Sequence, residues 1–107
     1  MKQKVFDTIL NQRCQKMVNV LAGKGNEYTQ NGDRLYHFKI AAAVDNETPA
    51  EALWGMMKKH LVSVKDLKDG NTILTSEIID EKIGDMINYL VLLEAIFLEE
   101  IETNKTR

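Results

Sequence analysis

Between Thr75 and Thr103 the chain reads TSEIIDEKIGDMINYLVLLEAIFLEEIET, and this stretch limits the possible folds more than any other. Ile79, Ile83, Met86, Ile87, Leu90, Leu93, Phe97 and Ile101 recur at steps of three and four, with no glycine or proline after Gly84, which predicts one long helix. From Met86 to Leu98 nearly every position is apolar. No broad face is left for water, and such a helix is expected to be surrounded by protein. Glu81, Asp85 and Asn88 stand at i, i+4 and i+7, one polar stripe running into the apolar half. Polar side chains there need partners. The stripe either fixes how the helix packs, or it faces a cavity holding a metal, a ligand or the polar groups of another subunit.

The rest of the chain supplies shorter helices to set against it. Val5, Phe6, Ile9, Leu10, Cys14, Met17, Val18 and Leu21 predict a helix over residues 2–22, ended by Gly23 in a left-handed conformation. Lys24 to Asp33, KGNEYTQNGD, reads as a long polar loop, and loops of that length in small domains are often functional. A second helix is expected over Arg34 to Val44 with Asp33 as its N-cap, and Ala41 to Ala43 imply close approach of another element. Thr48, Pro49 and Glu51 form a capping box with proline at the first helical position, opening a third helix that runs to about Lys68. Lys68 to Thr72 is a turn, after which Thr75 or Ser76 caps the last helix. No segment alternates with a period of two. The expectation is therefore a single all-α domain over residues 1–107, a four-helix bundle. Its last helix carries more apolar surface than three short helices can cover, so the bundle is expected to be completed by oligomerisation, most simply in a homodimer.

Charge and cysteine usage exclude some functions. With 14 Lys and Arg against 16 Asp and Glu the net charge is −2, which lacks the basic excess of a nucleic-acid or membrane-surface binder. The single cysteine, Cys14, falls on the apolar side of the first helix and is expected to be a small buried hydrophobe in a reducing compartment. Neither a signal peptide nor a membrane span is evident, so a cytoplasmic location is expected.

Cations collect at two places: Lys24, Arg34, His37 and Lys39 around the polar loop and second helix, and Lys58, Lys59, His60 and Lys65 on the third. Lysines commonly form a solvated face, and a histidine among apolar neighbours is commonly a hydrogen-bonded core residue, yet Lys59 and His60 together could hold a phosphate. Glu81 and Asp85, one turn apart, could share one divalent cation such as Mg²⁺. No CxxC, HExxH or Gly-rich phosphate loop exists, and Cys14 is poorly placed for nucleophilic catalysis. Tyr28, Tyr36 or Trp54 could stack on a nucleobase, with core packing the expected fate of Trp54.

EKIGDMINYLVLLEA (Glu81 to Ala95) resembles the last core helix of MazG-like all-α nucleotide pyrophosphohydrolases. That stretch, together with KGNEY (Lys24 to Tyr28), GDRLYHFK (Gly32 to Lys39) and ALWGMMKKHLVSVKDL (Ala52 to Leu67), resembles still more the small phage proteins called nucleotide-modification-associated domains. The resemblance implies a MazG-like bundle, oligomeric assembly and a phosphorylated nucleotide as ligand. MazG-like enzymes bind Mg²⁺ through an ExxE pair and an ExxD pair. Here Asp85 matches the aspartate of the second, Lys82 stands where its glutamate would be, and Lys58, Lys59 and His60 occur on the helix where the first is expected. Cations in place of metal-binding acids weaken Mg²⁺ and favour direct contact with anions.

The reading this leads to is a phage-type protein of the bacterial host cytosol that holds a nucleotide, or a cyclic nucleotide-type immune signal, at an oligomer interface without turnover and without a cofactor. Its expected ligand residues are Lys24, Asn26, Tyr28, Arg34, His37, Lys58, Lys59, His60, Asp85 and Asn88. The alternatives are a Mg²⁺-dependent nucleoside triphosphate pyrophosphohydrolase using Glu27, Glu81 and Asp85, and a non-catalytic helical interaction module.

Overall fold

The computed structural model describes residues 1–23 and 25–105, with the side chains of residues 25 and 26 outside that description. The described chain is all-α: α1 (Gln3–Gly23), a single turn α2 (Gly25–Tyr28), α3 (Tyr36–Val44), α4 (Pro49–Lys68) and α5 (Ser76–Lys105). Four of these are the helices the periodicity predicts, and α2 is one turn inside the segment expected to be a loop. No strand occurs among the described residues; Gln30 and Asp33 form one isolated antiparallel bridge.

Local chemistry sets the boundaries. Thr48 Oγ1 accepts from the Glu51 N–H at 3.1 Å and Glu51 Oε1 accepts from the Thr48 N–H at 2.9 Å, so the capping box opens α4 as its sequence requires. At the start of α5, Thr75 Oγ1 accepts from the Ile78 N–H at 3.1 Å. The C-termini of α3 and α4 share one device. Asn46 and Gly70 adopt positive φ (53° and 75°), while the next residues, Glu47 and Asn71, donate back to the carbonyls of Ala42 (2.9 Å) and Asp66 (3.0 Å). Asparagine and glycine tolerate that left-handed turn with little strain.

Two boundary expectations need correction. Gly23 is the last residue of α1 and is not among the positive-φ glycines, Gly32 and Gly70, so it does not end α1 by a left-handed turn. The second helix starts at Tyr36 rather than Arg34, and Asp33 is not its N-cap. Asp33 Oδ1 instead accepts from the Leu35 N–H at 2.9 Å, two residues on, which shapes the approach to α3.

α4 and α5 pack antiparallel and form the body, with α3 laid against α4. Leu35, Phe38, Leu53, Met57, Leu93 and Ile96 make the core, bordered by Met56, Met86, Tyr89 and Leu92. Leu53 is fully enclosed, a burial that contributes about 1.5–3 kcal/mol. Ala42 is buried on α3, as close approach by another helix requires. α1 leans on α5 and runs in the same direction: Arg13 meets Asp80 and Gly84 at one end, and Leu21 shares clefts with Leu92 and Ala95 at the other.

Burial of α1 and α5 differs from expectation. Cys14 is exposed, because the α1 face that carries it has no neighbour among the described residues. None of α1's apolar residues is buried. The middle of α5 is enclosed on one side only: Leu93 and Ile96 are buried, while Leu90, Val91, Phe97 and Leu98 on the outer side are exposed. No helix of the described chain is long and apolar enough to cross a membrane.

Candidate functional site

The polar stripe of α5 does face open space. A cleft of about 370 Å³ lies between α1, the α2 region, α3 and α5. Its walls include Tyr28, Arg34 and His37 on one side, Asp85, Asn88 and Tyr89 on the other, and an apolar floor of Phe38, Met56 and Leu92. That volume lies within the usual range for small-molecule sites, which combine apolar walls with a few converging polar groups. Five of the ten ligand residues expected from the sequence, Tyr28, Arg34, His37, Asp85 and Asn88, line this one cavity.

The turn after α2 brings the first three together. Asn31 and Gly32 both take positive φ (54° and 74°), and the Gln30 and Asp33 backbones exchange hydrogen bonds at 3.2 and 2.9 Å across them, so the chain reverses within two residues. Tyr28 before the turn thus stands beside Arg34 and His37 after it. The Arg34 guanidinium carbon lies 5.5 Å from the Tyr28 ring centre, and His37 packs edge-on to Tyr28 (5.7 Å) and Tyr36 (5.8 Å). Arg34 is half-buried, so part of its hydration is already lost when an anion arrives.

Lys39, grouped with these cations in the sequence, is otherwise engaged. Its Nζ bridges Asp33 Oδ2 (2.6 Å) and Glu99 Oε1 (2.5 Å), tying the turn and α3 to α5. The hydrogen bond that Lys39 donates to Asp33, then the one it donates to Glu99, holds the Lys39 ammonium above its ordinary pKa; the bond from Lys39, then that from the Leu35 N–H, holds the Asp33 carboxyl below its own.

On the opposite wall, His60 Nδ1 lies 3.5 Å from Asp85 Oδ2, and the imidazole stacks at 4.8 Å, tilted by 32°, on Tyr89. His60 therefore sits behind the cleft wall and positions Asp85 and Tyr89. Burial, then the Asp85 charge, raises the Tyr89 hydroxyl above its ordinary pKa and keeps it a neutral donor across the physiological range.

Some expected residues are elsewhere. Lys58 and Lys59 are on the exposed side of α4, Lys58 beside a shallow cleft with Trp54, Leu93 and Phe97, so neither lines the α5 cavity. Trp54 is about half-exposed rather than in the core. Lys24 and the Asn26 side chain, both expected at the ligand, lie outside the described residues. Glu27 is exposed on α2. Glu81 is largely exposed beside Lys82 (3.4 Å), and among the described residues no three His, Cys, Asp or Glu side chains gather as a metal centre.

Two cations escaped the sequence reading. Arg13 Nη2 lies 2.6 Å from Asp80 Oδ1 and Lys16 Nζ lies 3.0 Å from the same oxygen. With Asn19, Glu81, Gly84, Asp85 and Asn88 they line a second cleft, which shares Val20, Asp85 and Asn88 with the first. The Lys16 bond, then the Arg13 bond, keeps Asp80 below the usual carboxylate range. The legible signals were Gly84, a glycine inside an apolar helix, and Arg13 in register with Phe6, Leu10 and Met17 on the inner face of α1. A Cβ on Gly84 would stand 2.7 Å from Arg13 Nη1, so the missing side chain makes room for the guanidinium.

Comparisons with protein-family models, with curated proteins and with solved structures find no match for this chain.

Proposed function

We propose that this protein binds a phosphorylated nucleotide in the α1–α3–α5 cleft and does not turn it over. The observation that carries the reading is the convergence of Tyr28, Arg34 and His37 with Asp85, Asn88 and Tyr89 on one cavity. Each group has a task that suits such a ligand. Arg34 offers fixed N–H donors to a phosphate, Tyr28 offers a ring face to a base, and Asp85 and Asn88 offer an acceptor and an amide to base or sugar. Stacking on one ring is worth about 1–3 kcal/mol per base, enough with one charge-assisted phosphate contact to select a nucleotide over free phosphate.

The pairing of the acids favours holding over hydrolysis. Asp80 is engaged by Arg13 and Lys16 and Glu81 lies beside Lys82, so a Mg²⁺ ion would have to displace a cation at those two carboxylates, and at Asp85 it would compete with the His60 ring 3.5 Å away. A MazG-like bundle completed by a second subunit, with the cleft at or near the subunit boundary, belongs to the same proposal, as does phage-type sequestration of a nucleotide immune signal.

Calorimetric titration with nucleoside mono- and triphosphates and cyclic dinucleotides, with and without Mg²⁺, tests this. Binding without release of pyrophosphate is expected, weakened about 10-fold or more by Arg34→Ala, which removes a contact worth about 1.5–3 kcal/mol, and unaffected by Lys59→Ala. Steady pyrophosphate release that stops in Asp85→Ala would establish the hydrolase instead. Neither binding nor release would leave a helical interaction module.

A further inference from the structure

α1 is longer than the support beneath it. Arg13 meets α5 at Asp80, four residues from the start of α5, so about the first two turns of α1 extend past the end of its neighbour. The inner face of α1 continues along that extension as Phe6, Ile9 and Leu10, in register with Arg13, Met17 and Val20. Val5, Phe6, Ile9 and Leu10 are between 47% and 51% exposed. α5 is bare in a complementary way. Leu90, Phe97, Leu98 and Ile101 form an outer stripe, each between 48% and 55% exposed.

The molecule's dimensions say how much surface this leaves. The chain exposes 7853 Å², against about 6,100 Å² for a compact monomer of its mass, an excess of about 1,800 Å². Its radius of gyration is 16.3 Å, where about 13 Å is ordinary for this length. An excess of that size matches what one subunit contributes to an obligate homodimer, about 1,000–2,500 Å². The charges also match within one sequence. Lys2, just before α1, and Lys4, in its first turn, stand with a single acid, Asp7, while Glu94 lies inside the α5 stripe.

We propose that the N-terminal extension of α1 packs on the outer stripe of α5 in a second copy of this chain, and that the exchange is reciprocal about a two-fold axis. The overhang together with about one further turn, Gln3–Gln12, is about 14 Å long and covers most of the roughly 16 Å between Leu90 and Ile101. Reciprocal exchange buries both bare surfaces of both chains and closes the assembly at two. This does not rest on the nucleotide reading: both bare surfaces are present whatever the cleft holds.

Light scattering on the full chain at micromolar concentration should give twice 12.2 kDa. Phe6→Glu with Ile9→Glu, or Leu98→Glu alone, should give monomers of unchanged helical content by circular dichroism. The decisive variant carries Ile9→Cys and Leu98→Cys with Cys14→Ser. Leu98 lies about 33 Å along α5 from its first residue, beyond intrachain reach of Ile9, so oxidation should yield covalent dimers only between copies. A monomeric wild type, an assembly larger than two, or a dimer that these cysteines fail to cross-link would each overturn the proposal.

Discussion

Gly84 and Arg13 show how one absent side chain organises its surroundings. Glycine within a helix costs about 0.5–1 kcal/mol relative to alanine, and here it lets a guanidinium lie against the α5 backbone beside Asp80. Gly84→Ala returns that helix propensity but pushes away Arg13, the tip of a flexible side chain, whose half-exposed ion pair is worth about 0.2–1 kcal/mol. The two effects nearly cancel. Urea denaturation should place Gly84→Ala within about 1 kcal/mol of wild type. In that background Arg13→Ala should cost clearly less than in the wild type, because the contact is already broken. Equal costs in both backgrounds would show that Arg13 makes no use of the space at Gly84. Single residues were also where the candidate cleft was most and least legible. Asp85 and Asn88 announced themselves as polar groups in an apolar helix. Lys58 and Lys59 could not be placed, because spacing gives a helix its faces without saying which face meets the core, and the buried Leu53 and Met57 turn those lysines away from the α5 cleft.

At the scale of the element, legibility followed the range of the interactions that end each helix. The start of α4 could be read because all its capping partners lie within Thr48 to Glu51. The start of α3 could not, because Asp33 is claimed by the Leu35 N–H and by Lys39, and Lys39 is in turn held by Glu99 from the far end of the chain. Thr48→Ala should therefore cost about 1 kcal/mol, seen as a lower urea midpoint with an unchanged slope, since the loss is a local hydrogen bond. A shift in slope would mean that the cap governs more of the fold than the first turn of α4.

For the whole molecule, paired charges set a pH window. Asp33 and Asp80 have folded pKa values below the ordinary aspartate value of about 3.9, so their contribution is complete above that value and fades as pH falls through the lower, folded values. Lys39 is raised, so its contribution is complete below about 10.4 and fades as pH rises through the folded value. Melting temperature should be flat between about pH 5 and 9 and fall on both sides. In Asp33→Asn the acid limb should become shallower; an acid limb identical to wild type would remove Asp33 from the account.

The same rod, α1, supplies a wall of the cleft through Val20 and Leu21 and carries the bare segment beyond it. A helix bends little over such a length, so whatever settles between α1 and α5 also sets the angle at which that segment leaves the body. Occupancy of the cleft and the reach of the chain's far end are then two readings of one tilt.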